Sequence, residues 1–143
     1  MMSEKESQHM LVHIFMKEPL GIWAICLKDS VQNMIGVIRL EKLNVQAKQA
    51  EIGYFLYQDF WNQGLMTEAL RTIVYLCFYE FSLREILLRT HLENRASQRV
   101  AEKVGFRANR QYKGSDRYTH KMRDYKDFIM RSSDFKLEEE EIE

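Results

Sequence analysis

The sequence predicts a single α/β domain, of the α+β kind, with a mixed central sheet flanked by helices. Three observations carry that reading. Two strand-like runs, Ala50–Tyr57 and Glu85–Leu92, each lead through a short turn into an amphipathic helix, which favours parallel pairing there. The other apolar runs are joined by brief turns rich in Asp, Ser, Asn and Gly, the pattern of antiparallel hairpins. A chain of 143 residues with no internal repeat and no interdomain linker suits one core.

From the N-terminus, Ser3–Lys17 reads as a helix, because Leu11, Ile14 and Phe15 recur at helical spacing and Ser3 with Glu6 fits a capping box. Pro19 and Gly21 end it. Ile22–Lys28 and Met34–Leu40 read as strands of a hairpin, with turn residues Asp29, Ser30, Gln32 and Asn33 between them. Ala50–Tyr57 is the third strand. Thr67–Phe81 is a helix whose Leu70, Ile73, Val74, Cys77 and Phe81 form one stripe. After the strand Glu85–Leu92 comes a short helix, Ala96–Val104. Gly105 stands where a left-handed cap belongs and Phe106 follows as its apolar partner. Arg107–Lys113 and Asp124–Arg131 close the pattern as two strands. The domain is expected to span residues 1–135, with 136–143 an acidic, disordered tail.

Composition narrows the function. The 21 basic and 21 acidic side chains cancel, which argues against a nucleic-acid or membrane partner held by net charge. The longest apolar run, Ile73–Tyr79, is too short to span a bilayer. Cys26 and Cys77 have neither metal nor redox spacing and read as core residues, so a reduced, cytoplasmic setting is expected. His9, His13 and His120 have no metal-like companions, and no metal site is expected. The basic run from Arg107 to Lys126, interleaved with Tyr112, Tyr118 and Tyr125, reads as a solvated strand face.

The most informative stretch is Ala50–Leu70. A strand feeds a glycine turn at a helix N-terminus, where free N–H groups and the helix dipole favour an anion such as a pyrophosphate. Gly64 lets the backbone approach the phosphate oxygens. On spacing alone, a plain turn is an equal reading.

Tyr54-Phe55-Leu56 followed by Phe60-Trp61-Asn62-Gln63-Gly64-Leu65-Met66-Thr67-Glu68-Ala69 resembles the acetyl-CoA-binding motif of the GNAT superfamily of N-acetyltransferases. The segment Glu93–Phe106 is similar to the Asn-x-x-Ser…Glu-Lys-x-Gly-Phe signature of the branch holding the ribosomal-protein-alanine acetyltransferases. The chain departs from the superfamily pattern Arg/Gln-x-x-Gly-x-Gly/Ala at Trp61 and Met66. The fold implied is a GNAT sheet that is N-terminally shortened, lacking the family's first strand and helix. An open sheet edge would then invite a second copy, a homodimer.

The resemblance further implies a splay between the third strand and Glu85–Leu92 that holds the pantetheine arm of acetyl-CoA. Backbone groups at Phe55 and Leu56 would bond that arm, and those of Gln63, Gly64, Leu65, Met66 and Thr67 would wrap the diphosphate. Asn94 would cap the short helix, contact coenzyme A, or both. Glu51 is the candidate base for the acceptor amine, beside the alternative of a solvated strand-end glutamate. Ser97 matches a serine held to help protonate the thiolate, beside the alternative of a small packed residue. The tyrosine used by many members would stand at Ala101, so none is assigned there. Tyr54 reads as core packing and His91 as structural rather than basic. The implied activity is acetyl transfer from acetyl-CoA to a primary amine, a protein N-terminus or a small amine. A CoA-binding module without efficient turnover is the alternative, and activity toward a panel of amines separates the two.

Overall fold

A computed structural model describes residues 12–17, 21–30, 32–116 and 118–135. The expected acidic tail, the capping box at Ser3 and Glu6, and the first part of the expected N-terminal helix lie outside the described residues.

Seven strands form one sheet in the order β1-β2-β3-β4-β5-β7-β6. They are β1 (Val12–Lys17), β2 (Ile22–Leu27), β3 (Met34–Asn44), β4 (Gln49–Leu56), β5 (Glu85–His91), β6 (Arg107–Ser115) and β7 (Met122–Arg131). All neighbours run antiparallel except β4 and β5, which are parallel as the two strand–helix units required. Helix α1 spans Leu65–Tyr75 and continues as a π turn over Leu76–Glu80; helix α2 spans Arg95–Val104.

One expectation fails. Val12–Lys17 is not helical but pairs with β2 from Val12↔Leu27 to Lys17↔Ile22 and forms one edge of the sheet. Val12 and Ile14, two apart on either side of the exposed His13, share one face of a strand, and backbone pairing with β2 overrides the helical spacing of Leu11, Ile14 and Phe15. A hydrogen bond from the Val12 N–H to the Glu68 carboxylate (3.1 Å) ties this edge to α1.

The core lies between the sheet and the two helices. Ile38, Ile52, Leu70, Ile73, Ile86 and Phe128 are fully buried in one cluster that also takes in Ala101 and Val104 of α2. Burying each of the larger side chains contributes about 1.5–3 kcal/mol. Both cysteines are buried and free. At the far end of the chain Phe135 packs on Phe78, ring centroids 5.7 Å apart.

Strand alternation sorts β4 cleanly. Ala50, Ile52, Tyr54 and Leu56 face the helices, whereas Glu51, Gly53 and Phe55 face the other side of the sheet. The same alternation carries Arg89 and His91 of β5 and Tyr125 and Asp127 of β7 to Glu51's side.

Candidate functional site

The fork between β4 and β5 is the feature from which the site grows. Their parallel pairing covers only Gln49↔Glu85 to Ile52↔Leu88. Beyond it β4 stays with β3 through Gly36↔Leu56, and β5 stays with β7 through His91↔Tyr125. The Tyr57 N–H donates to the Ile35 carbonyl of β3 (2.9 Å). Alternation therefore turns the N–H groups of Tyr54 and Leu56 the other way, into the fork. The Leu56 carbonyl points there too and accepts from the Trp61 indole (2.7 Å). Trp61, which departs from the family pattern, thus braces the strand end against the turn that follows.

That turn opens α1. Asn62 (φ 62°) and Gly64 (φ 75°) are left-handed, which brings the backbone round sharply before Leu65. No side chain caps α1, so the N–H groups of its first turn remain for another acceptor. A Cβ on Gly64 would meet nothing within 4 Å, so glycine is required there by backbone conformation rather than by crowding.

A cleft of about 250 Å³ runs between the fork, this turn and α2. Of the expected cofactor residues, Phe55, Leu56, Gly64, Leu65, Met66, Thr67 and Asn94 line it, and so does Ser97. Gln63 does not, because its side-chain amide donates back to the Asp59 carbonyl (3.2 Å). Met66 is buried within the core while still touching the cleft.

Asn94 fills the cap and the cleft at once. Its side-chain oxygen accepts from the Ser97 N–H (3.0 Å), a cap worth about 1 kcal/mol. At the other end of α2, Gly105 (φ 116°) and Phe106 send N–H groups back to Glu102 and Ala101, the Schellman arrangement expected from Gly105-Phe106.

Tyr54 does more than pack. Its hydroxyl donates to the Ser97 carbonyl (2.9 Å) and accepts from the Ser97 hydroxyl (2.7 Å). Ala101, the position at which the resemblance would put a tyrosine, is fully buried. A phenol nonetheless reaches this helix, from β4. Burial pushes the Tyr54 hydroxyl up to about 12, with the Ser97 bond pulling weakly the other way. Burial likewise pushes the Cys77 thiol up to about 12. Both groups are thus held neutral in the folded state. Stability is fully present below their unfolded pKa values and falls as pH rises toward the folded ones. Tyr54→Phe is expected to remove the part of that alkaline loss lying between pH 10 and about 12, read from urea midpoints as a function of pH.

Glu51 stands elsewhere. It does not line the cleft; it lies at the foot of the fork on the opposite face of the sheet, only 7% exposed. Its carboxylate is 3.5 Å from the Lys42 ammonium and 3.6 Å from Arg89 Nε. The Arg89 guanidinium lies over the Tyr112 and Tyr125 rings, 5.7 and 5.3 Å from their centroids. His91, on the same face, has Nε2 3.5 Å from Asp116 and Nδ1 3.4 Å from Arg123. Both ring nitrogens are engaged, in keeping with a structural histidine. Backbone N–H bonds from Thr119 and Tyr118 hold the Asp116 carboxyl below its ordinary range.

Sequence reasoning passed over Arg99 and Lys103, which line the cleft from α2. Their spacing of four on an exposed helix face was the available signal. Among the described residues no group of three or more His, Cys, Asp or Glu side chains is placed to hold a metal ion. No described helix is long and apolar enough to cross a membrane.

A strand fork beside an uncapped glycine turn and an asparagine-capped second helix is the arrangement of an acyl-CoA-binding acetyltransferase domain. Residues 2–107 match the family model for the acetyltransferase (GNAT) domain, and the chain belongs to that family. The ribosomal-protein-serine acetyltransferase of Escherichia coli (strain K12) is 32% identical over 73 residues, which is 51% of this chain and 41% of that protein. That similarity bears out the resemblance to the ribosomal-protein branch. The crystal structure of a GNAT-family acetyltransferase from Bacillus anthracis superposes with a TM-score of 0.71 at 22% identity, covering 82% of this chain and 69% of that one. A mutant of the spermidine N-acetyltransferase SpeG from Vibrio cholerae gives 0.68 at 18% identity, covering 81% and 69%. At these identities the structural matches show the fold alone. The chain spans about half the length of the curated relatives it matches, from 41% to 51%.

Proposed function

We propose that this chain binds acetyl-CoA and transfers its acetyl group directly to a primary amine, with both substrates bound together. The fork between β4 and β5 carries the reading: it offers the N–H groups of Tyr54 and Leu56 beside the N-terminus of α1, with Ser97 facing the same cleft. Acetyl-CoA is the co-substrate implied by family membership. Its diphosphate would take the first-turn N–H groups from Gly64 to Thr67. Its pantetheine arm would follow the fork, and a fork N–H would donate to the thioester carbonyl as negative charge grows on that oxygen.

The amine approaches from the face that carries Glu51. An ammonium acceptor first gives one proton to solvent; the neutral nitrogen then attacks the acetyl carbon, and as the N–C bond forms its second proton passes through a water to Glu51. The carbon–sulfur bond then breaks, and the Ser97 hydroxyl, whose proton is donated to Tyr54 in the resting arrangement, turns to donate it to the departing thiolate. Tyr54 is a positioning residue, since its hydroxyl fixes the Ser97 rotamer. The sulfur finally takes a proton from solvent. The acceptor class is a protein N-terminus or a small amine; the name of the Escherichia coli relative, a ribosomal-protein-serine acetyltransferase, favours a protein acceptor.

The test is a titration of acetyl-CoA followed by an assay of free thiol across N-terminal peptides, polyamines and amino sugars. Binding plus thiol release with at least one amine is expected. Binding without release across the panel would instead favour a CoA-binding module. Ser97→Ala is expected to lower kcat about tenfold to a hundredfold with little change in KM for acetyl-CoA. Tyr54→Phe should reproduce part of that loss, because it frees the serine rotamer and leaves the hydroxyl in place.

A further inference from the structure

We propose that Glu41 of β3 binds the acceptor amine: its carboxylate leans over Gly53 at the split of the fork and accepts N–H groups of the arriving nitrogen. The inference rests on the acetyl-transfer reading above and gives the acceptor a point of attachment on the sheet face away from the cofactor cleft.

Register is the first observation. Glu41 lies directly opposite Glu51 of β4, and Arg39 directly opposite Gly53, so these side chains share the face away from the helices. The parallel pairing of β4 with β5 stops at Ile52↔Leu88, which makes Gly53 the first β4 residue past the split. A Cβ on Gly53 would stand 3.0 Å from Glu41 Oε1 and 3.3 Å from its carboxyl carbon. The Glu41 carboxylate thus occupies the place that a side chain at residue 53 would need. Glu51 starts two residues further back, about 7 Å along the strand. An amine that crosses from this face toward the acetyl carbon passes Gly53, and so meets Glu41.

Charge is the second. Like charges directly opposite on a strand pair repel, and Glu41 and Glu51 are such a pair. Lys42 and Arg89 flank Glu51, whose side chain is 9% exposed. The Glu41 side chain is more open, at 20%, and its Oε1 lies 3.3 Å from Nε of Arg39, itself 47% exposed. An ion pair that open to water is weakly held, so an arriving ammonium can take the place of Arg39 and screen Glu41 from Glu51. Once one proton has gone to solvent, Glu41 still accepts an N–H of the neutral amine and orients its lone pair, while Glu51 keeps the role of base. An acceptor that arrives as a cation is the ligand this arrangement selects.

Steady-state kinetics on a peptide with an N-terminal serine and on spermidine test this with Glu41→Gln, Gly53→Ala and the double variant. Glu41→Gln removes the charge, whereas Gly53→Ala keeps every charge and displaces the carboxylate. With whichever amine the wild type turns over, Glu41→Gln is expected to raise KM for the amine about tenfold and to leave KM for acetyl-CoA within about twofold. Gly53→Ala is expected to raise the amine KM about threefold, and the double variant to be no worse than Glu41→Gln, because no carboxylate remains to displace. An unchanged amine KM in Glu41→Gln, or effects that multiply in the double variant, would overturn the role of Glu41 and leave the acetyl-transfer reading intact. Failure of the wild type to acetylate either amine would remove the amine acceptor and this inference with it.

Discussion

Glu51→Gln is expected to lower kcat for amine acetylation about a hundredfold to ten-thousandfold and to leave acetyl-CoA affinity within about twofold. A glutamine keeps the volume and one hydrogen-bond acceptor but cannot take a proton. Glu51 stands at the foot of the fork on the sheet face away from the helices, 7% exposed and outside the cleft, so the proposed role needs a water to carry the proton to it. The same change weakens the contacts with Lys42 and Arg89, whose charges then lack their partner. A stability loss of about 1–3 kcal/mol is expected in parallel and is read separately as a lower melting temperature. Kinetics measured well below that temperature isolate the chemical effect. Retention of full activity would remove Glu51 from the reaction and direct attention to other groups on the same face.

Gly64→Val should weaken acetyl-CoA binding by at least about tenfold. A β-branched residue in the left-handed region at φ 75° is strained, and the strain is relieved by rotating the peptide planes whose N–H groups open α1. The space over Gly64 holds no protein atom within 4 Å, so the effect is not one of core crowding. The buried side chains of α1, including Leu70 and Ile73, keep the helix in place. The expected signature is therefore lost affinity with a melting temperature lowered by only a few degrees, seen in calorimetric titration beside a thermal melt. A large loss of stability with affinity retained would mean that the turn serves the fold and not the ligand.

Much of this was legible in the residues because local rules and tertiary packing agreed. β2 to β7 fall where alternation and turn residues put them, and Gly105-Phe106 ends α2 as its chemistry demands. The fork was legible only through the resemblance, since nothing in the Ala50–Tyr57 run itself says where pairing with β5 stops. The helix expected over Ser3–Lys17 fails at Val12–Lys17 because it rests on three apolar residues, Leu11, Ile14 and Phe15; the pairing with β2 decides, and that is a long-range fact. The π turn at Leu76–Glu80 was hidden for a related reason. Cys77 still continues the apolar stripe, so the sequence shows an unbroken helix where the hydrogen-bond register shifts.

The site divides in the same way. Main-chain positions at Leu56 and Gly64 to Thr67 follow from strand and turn geometry and gather at the cleft, whereas the main chain of Phe55, expected to bond the pantetheine arm, pairs with β3 instead, because alternation turns the Tyr54 and Leu56 N–H groups into the fork. Side-chain roles were harder to read. Tyr54 was assigned to packing, because its pairing with Ser97 joins residues 43 apart. Gln63, expected to act through its main-chain N–H, is outside the cleft lining, and its side-chain amide donates to the Asp59 carbonyl. Ion pairs around Glu51 draw on β3 and β5 as well as β4, which no local window contains.

The fork is tested most directly by following backbone amides during a coenzyme A titration of isotope-labelled protein by NMR. The amides of Tyr54, Leu56 and Leu65 to Thr67 are expected to shift together and to saturate with a single affinity. Saturable shifts confined to β6 and β7, or no shifts at all at millimolar coenzyme, would contradict a cofactor seated between β4 and β5.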